Sequence, residues 1–262
     1  MAGYKEWIDN AEVKIDYFSA FLKAWIAFNA WYNFSGEIPS GNDQQCIEYI
    51  SGQSNRFKTY IINLLSQDGS ESKTYKDNLA KLHEALLNSP ITSQEYFGFR
   101  QIVSFSEIAI KNRDSLSQLE YYGIKYSCKK DNKKIKTSIK EQSGKEIFYY
   151  EQDNWNIDEL KQQSSFRSLT TAKQQKCEEC YNNFKPYIIS SVLCQNPPEN
   201  HRNNFGAYSF VDNNERIAEA IVIVLYMLRC CLAHGDITPD RKTSDVYRYA
   251  YEVLLAPLSK LE

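Results

Sequence analysis

Two residues near the C-terminus, Arg229 and His234, have side-chain types that suit RNA cleavage. A guanidinium binds a phosphate through paired hydrogen bonds and stabilises the negative charge that builds on it during reaction. A titratable imidazole transfers protons to and from the reacting oxygens. The pair therefore predicts a site for RNA cleavage.

The helix predicted to carry this pair spans residues 215–234. Its apolar residues recur at helical spacing and are sufficient to dock it on a core: Ile217, Ile221, Val224, Leu225, Leu228, Cys231 and Leu232. At about 100° per residue, the opposite side holds a second stripe, which consists of Glu219, Tyr226 and Cys230. Arg229 and His234 flank this second stripe, which we expect to face a cleft.

The spacing of Arg229 and His234 determines whether their side chains can approach each other. Five positions on an ideal helix place the two residues about 140° apart, so they make no direct contact of the i,i+4 kind. They converge if the helix ends at His234 and the arginine side chain curls toward it. Gly235 is well placed to end the helix there. A histidine in the last turn also meets the negative end of the helix dipole, which favours its protonated form.

Four further residues are candidates for supporting the pair. Asn29 lies on the apolar stripe of a predicted N-terminal helix, and as a buried amide it needs a partner, either Arg229 or a neighbouring helix. Glu219 either pairs with Arg229 or is a solvent-facing acid. Tyr226 either contacts RNA, by stacking on a base or binding a phosphate, or packs in a dimer. Cys230 directly follows the arginine.

The chain as a whole is predicted to be mainly α-helical with one β insertion. Apolar periodicity and breaker residues predict helices at residues 17–33, 44–65, 73–87, 93–118, 158–192, 215–234 and 244–261. Segments rich in β-branched and aromatic residues predict a small antiparallel three-stranded meander at 121–128, 134–141 and 145–150. We divide the chain into N-terminal helices (1–118), the β insertion (119–152) and C-terminal helices (153–262), which form one composite domain.

Lysines are concentrated in the predicted β insertion. Eight lie between residues 125 and 145, and four of them are near the first turn: Lys129, Lys130, Lys133 and Lys134. Aromatic residues lie within or beside this run. Lysines on a β-ribbon can follow a phosphate backbone while aromatic rings stack on bases, which predicts an RNA-binding surface. The alternative is that the lysines protect an edge strand from aggregation or dock a partner.

The composition limits the classes of function. The formal net charge is −2, so any contact with nucleic acid must be local. The absence of an apolar run of about 18 residues argues against a membrane span, and the acidic residues near the N-terminus argue against a signal peptide. Seven cysteines, two of them adjacent in a helix, indicate reduced thiols and a cytoplasmic location. Cys177 and Cys180 have no second CxxC, so we expect no metal and no cofactor.

The segment from Tyr226 to Asp236 resembles the signature of the HEPN superfamily. That signature is an arginine, four to six residues and a histidine at the end of a helix, often followed by glycine, and Arg229, His234 and Gly235 match it. The helix at residues 21–33 is similar to the first helix of the same superfamily. The likeness is strongest to stand-alone and defence-associated members, the ApeA-like group.

The resemblance implies a HEPN-like helical bundle that forms a homodimer, with two Arg–His pairs in one composite cleft. It implies a metal-independent endoribonuclease that leaves cyclic phosphate ends, in which Arg229 binds the phosphate and His234 transfers the proton. Such a protein would be a toxin or an antiviral effector, partnered by an antitoxin or a defence-complex protein.

One departure from the family pattern leaves alternatives open. Many active members have a polar residue, commonly asparagine, directly after the arginine, and here that residue is Cys230, whose thiol is a poor hydrogen-bond donor. The first alternative is an inactive HEPN module that binds RNA or nucleotide or serves as an interaction subunit. The second is a purely structural helical dimer.

Overall fold

A computed structural model describes residues 15–96, 99–131 and 134–261 of the chain. The chain divides into two compact units. The first unit is drawn from the ranges 1–110 and 189–262, and the second is the range 111–188.

Nine helices occur in the described residues. They are α1 (Tyr17–Phe34), α2 (Asp43–Gly52), α3 (Arg56–Ser66), α4 (Ser70–Asn88), α5 (Ile157–Gln162), α6 (Ser164–Arg167), α7 (Thr171–Asn182), α8 (Asn214–His234) and α9 (Arg241–Leu258). Helices α5, α6 and α7 belong to the second unit and the other six to the first. The helices predicted at 17–33 and 215–234 are confirmed as α1 and α8, whereas the one predicted at 44–65 is two helices.

Ten strands occur in the same residues. They are β1 (Thr92–Tyr96), β2 (Phe99–Ile102), β3 (Ile108–Lys111), β4 (Leu116–Tyr121), β5 (Ile124–Asp131), β6 (Lys134–Glu141), β7 (Glu146–Gln152), β8 (Tyr187–Ser190), β9 (Asn204–Phe205) and β10 (Tyr208–Ser209). They form a four-stranded sheet, β4-β5-β6-β7, and three two-stranded sheets, β1-β2, β3-β8 and β9-β10. The predicted fold class, a mainly α-helical bundle with one small three-stranded insertion, is therefore wrong.

The largest error lies at residues 93–118, where the sequence predicts a helix and the chain forms strands. Val103 and Phe105 are fully buried, whereas Ile102 is 52% exposed, so burial alternates with the period of a strand. The N–H of Val103 donates to the carbonyl of Ile91, twelve residues earlier, which extends the pairing of β1 with β2. Short apolar runs are ambiguous between helix and strand, and here the pairing between strands decides.

The four-stranded sheet is an antiparallel meander in the second unit. Strand β4 pairs with β5 in a register that places Tyr121 opposite Ile124. The turn between them has positive φ at Tyr122 (49°) and Gly123 (70°), as in a type I′ turn, whose twist matches that of the flanking strands. The strand predicted at 121–128 crosses this turn, so the sheet has one more strand than expected.

Helices of the second unit cover one face of this sheet. Alternate residues of β5, β6 and β7 are buried against side chains from α5, α6 and α7, and the main members of the cluster are Tyr126, Cys128, Ile135, Ile139, Phe148, Leu160, Phe166, Cys177, Cys180 and Tyr181. The Tyr181 hydroxyl donates to the Gln152 side chain (2.6 Å) and accepts from the Asn156 N–H (2.9 Å). These bonds satisfy the buried Tyr181 hydroxyl and the side-chain oxygen of Gln152.

Helix α8 is the central element of the first unit. Every residue from Ile217 to Leu228 is buried, so its second stripe does not face a cleft over this stretch, contrary to expectation. The helix is long and apolar enough to cross a membrane, but 72% of its most apolar window is buried inside the protein. A helix that is buried on all sides in this way lies at the centre of a protein core.

A buried histidine lies in the same core. His83 on α4 is 2% exposed, and its ring centroid is 4.5 Å from that of Tyr208. Its Nδ1 atom has no hydrogen-bond partner among the described residues. Burial lowers the pKa of this imidazole from the ordinary value of 6.5, so His83 is neutral in the folded protein at neutral pH.

We expect His83 to make the folded state sensitive to mild acid. As the pH falls through about 6.5, the unfolded chain takes up a proton that folded His83 does not bind, so the free energy of unfolding decreases. His83→Leu removes this proton uptake. Denaturant unfolding at about pH 7.5 and about pH 5.5 should show a smaller loss of stability in the variant than in the wild type. Equal losses in the two proteins would contradict the prediction.

Candidate functional site

Helix α8 leaves the core at its last two turns. The side chain of Arg229 is 29% exposed, and His234, the final helical residue, is exposed. Gly235 ends the helix with a left-handed φ of 73°. The N–H of Asp236 donates to the Cys231 carbonyl across this cap (2.9 Å), as in a Schellman motif. Both predicted catalytic residues therefore reach solvent at one end of α8.

The guanidinium of Arg229 forms an ion pair with Asp43. Its Nη2 atom lies 3.1 Å from Asp43 Oδ2. Asp43 is the first residue of α2, and a capping box defines this start, because the side chains of Asn42 and Gln45 each accept from the other residue's N–H. The positive end of the α2 dipole also favours a carboxylate at this position.

The other oxygen of Asp43 is held by helix α1. Asp43 Oδ1 accepts from the Tyr32 hydroxyl (3.1 Å) and from the Asn29 amide (3.3 Å), and the Asn29 amide also donates to the Tyr32 hydroxyl. Burial raises the pKa of the Tyr32 phenol, and the nearby Asp43 charge raises it further. The hydroxyl therefore keeps its proton and donates. We call Asn29, Tyr32, Asp43 and Arg229 the Asp43 cluster. Asn29 thus reaches Arg229 through Asp43.

Arg229 and His234 share the end of α8 without a bond between them. On a regular helix they are about 7.5 Å apart along the axis and about 140° apart around it. Within the described part of the chain, the His234 side chain has no hydrogen bond, ion pair or ring contact. Its imidazole is therefore accessible to a substrate or to a second copy of the chain.

Tyr226 and Cys230 lie beside Arg229 and interact with it. Tyr226 is 8% exposed, and its ring centroid is 6.0 Å from that of Trp25. The thiol of Cys230 interacts with the Tyr226 hydroxyl and with Arg229. Burial raises the pKa of both the phenol and the thiol, so both groups are neutral. Because the Tyr226 ring is buried, this geometry disfavours its stacking on a base.

Glu219 lies too far along α8 to pair with Arg229. Ten residues separate the two, which corresponds to about 15 Å along the helix axis. Glu219 is 6% exposed, so it is not a solvent-facing acid either. It belongs to the buried part of the helix, and Arg229 pairs with Asp43 instead.

The lysines predicted to bind RNA belong to the second unit. Lys129 and Lys130 are exposed on β5, and Lys134 is exposed at the start of β6. Lys133 lies outside the described residues. The Nζ atom of Lys134 is 3.6 Å from a carboxylate oxygen of Glu151. This acidic neighbour weakens the local positive charge. Strands β5 and β6 are the inner strands of the sheet, so these lysines do not protect an edge strand, and the alternative of docking a partner stays open.

The CxxC cysteines of α7 lie in the core of the second unit. Cys177 and Cys180 are buried on the inward face of the helix, close to Cys128 on β5. Burial raises the pKa of the Cys128 and Cys177 thiols to about 12, so they are protonated at neutral pH. Among the described residues, no group of three or more histidine, cysteine or acidic side chains is placed to hold a metal ion.

Asp43 and Tyr32 carry only weak sequence signals for a place in the site. Tyr32 is one of several aromatic residues on the apolar stripe of α1, three positions after Asn29. Asn42 and Gln45 have the types and spacing of a capping box, which marks Asp43 as an acid in a first turn. Neither signal indicates that α2 places this acid against Arg229.

Comparisons with known proteins give no relative for this chain. It matches no protein-family profile, no curated protein and no solved structure. The HEPN resemblance therefore stays a prediction carried by the short segment around Arg229 and His234.

We expect the left-handed cap next to His234 to be sensitive to substitution. Gly235→Ala should lower the free energy of unfolding by about 1–2 kcal/mol, because a Cβ disfavours the left-handed conformation. Nothing lies within 4 Å of the added Cβ, so a clash does not contribute. Gly235→Asn is the matched control, since asparagine adopts the left-handed conformation more readily than alanine and should lose less stability. Urea unfolding should separate the two variants, and equal losses would refute the explanation.

Proposed function

We propose that this protein is a metal-independent endoribonuclease of the HEPN type. The observation that carries the proposal is that an otherwise buried helix emerges at Arg229 and ends at His234, with both side chains open to solvent. The Arg229 guanidinium, held by Asp43, binds the scissile phosphate and stabilises the charge that develops on it. His234 transfers protons at the reacting oxygens.

The reaction that these groups suit is transesterification of RNA. The 2′ oxygen attacks the adjacent phosphorus, an O2′–P bond forms, and the P–O5′ bond breaks to leave a cyclic phosphate. The 2′ hydroxyl must lose a proton and the 5′ oxygen must gain one. A neutral imidazole performs the first transfer and a protonated imidazole the second, so a homodimer supplies both groups as its two copies of His234.

The cellular setting is part of the same proposal. A nuclease of this kind acts in the cytoplasm as a toxin or an antiviral effector, and a partner such as an antitoxin or a defence-complex protein restrains it. All seven cysteines are free thiols, which suits a reducing compartment.

The second candidate function is an inactive module that binds RNA or nucleotide or serves as an interaction subunit. The observation that favours it is Cys230, which lies directly after Arg229. Its thiol is half-buried and protonated, so it is a weak donor where many active HEPN members have a polar side chain.

The ribonuclease proposal predicts two separate losses of activity. His234→Ala and Arg229→Ala should each slow cleavage of single-stranded or looped RNA by at least about 100-fold, because each removes a group that acts in the transition state. The assay follows labelled RNAs with and without EDTA. Arg216→Ala, which removes another exposed arginine of α8, is the matched control and should cleave at the wild-type rate.

Folding and self-association must be checked in the same variants. Circular dichroism and the sedimentation of each variant should match the wild type, since both side chains reach solvent. A wild-type protein that leaves varied RNAs intact, with and without added metal, would exclude the nuclease. Salt-sensitive RNA binding by that inactive protein would select the second candidate.

A further inference from the structure

Arg229 and Asp43 meet through one nitrogen of the guanidinium, Nη2. An arginine side chain has five N–H donors, so this contact leaves most of them available. Arg229 also interacts with the adjacent Cys230 thiol and, through its charge, with the Tyr226 phenol. With 29% of its side chain exposed, Arg229 can bind a phosphate while it remains paired with Asp43.

The Asp43 carboxylate is better fixed than those of ordinary surface ion pairs. Its Oδ1 atom accepts two hydrogen bonds from α1, and its backbone lies in the first turn of α2. One of the donors, Tyr32, is 1% exposed and therefore enclosed by its neighbours. By contrast, the Lys81–Asp77 pair on α4 has side chains that are 44% and 52% exposed. Asp43 thus gives Arg229 a fixed partner.

A fixed carboxylate beside the phosphate-binding arginine has two opposite effects. It restricts the orientation of the guanidinium, which favours catalysis because misplacement by about 1 Å can reduce a rate about 100-fold. It also offsets the positive charge that attracts a phosphate, which weakens binding of the ground state. The two effects act on different kinetic constants, so they can be measured separately.

We propose that Asp43 is a positioning residue that orients Arg229 for the transition state at the expense of substrate affinity. The proposal rests on the ribonuclease function given above. Asp43 itself touches no reacting atom. It acts through the guanidinium, and Asn29 and Tyr32 hold it in place.

The main test is Asp43→Asn, which removes the charge and keeps the shape. We expect kcat to fall by about tenfold or more, because the guanidinium loses its fixed partner. Binding of a single-stranded 2′-deoxy oligonucleotide, which lacks the attacking hydroxyl, should become several-fold tighter. The plot of log K against log salt should steepen by about 0.7, the value for one more phosphate contact on a single strand.

Two further variants separate charge from geometry. Asp43→Glu keeps the charge and lengthens the side chain by one methylene, so kcat should fall while oligonucleotide affinity and its salt dependence stay at wild-type values. Asp77→Asn makes the same change of charge in the exposed pair with Lys81, and should alter neither constant. Thermal unfolding of each variant confirms that it is folded.

An NMR measurement tests the orientation of Arg229 without any cleavage. In protein labelled with 15N-arginine, the Arg229 side-chain signal is identified by its loss in Arg229→Ala. It should report restricted motion in the wild type and faster motion in Asp43→Asn. Unchanged motion together with unchanged kcat, or weaker oligonucleotide binding in Asp43→Asn, would overturn the proposal. If the wild type cleaves no RNA, the ribonuclease function fails, while the NMR signal and the salt dependence still decide the role of Asp43.

Discussion

The burial of helix α8 is the constraint on which the first unit depends. All twelve residues from Ile217 to Leu228 are buried, so the surrounding elements must supply apolar surface on every side of this helix. Helices α1, α2, α3 and α9, with strand β1, contact α8 and provide that enclosure. Because no residue of this stretch can bind a ligand from solvent, any chemistry carried by α8 is confined to its ends.

The C-terminal end of α8 is therefore the part of the helix that reaches solvent, and it is also the candidate site. A charged guanidinium at such a boundary needs a partner, because an unpaired, partly buried charge is destabilising. Asp43 meets this need, and the donors of Asn29 and Tyr32 satisfy its second oxygen. The same contacts that stabilise the helix end also restrict the motion of Arg229. Stability and the proposed catalysis thus depend on one cluster.

The second unit is built around a β-sheet rather than around a buried helix. Its four-stranded meander has one face buried under α5, α6 and α7 and carries lysines on exposed positions of its strands. Carboxylates pair with several of these lysines, as Glu151 does with Lys134. Such pairs keep the exposed strand surface from being strongly basic. The free thiols of Cys177 and Cys180 contribute to its core rather than to a site.

The sequence by itself determined the elements whose signals are local. Aromatic periodicity predicts α1, and α8 follows from its apolar residues and from Gly235, which can adopt the left-handed cap. The Arg229–His234 pair is likewise evident from type and spacing. Only the tertiary structure decided the strands between residues 92 and 121 and the contact between Asp43 and Arg229. Strand pairing and helix packing join residues far apart in the chain, and no local propensity specifies which of them meet.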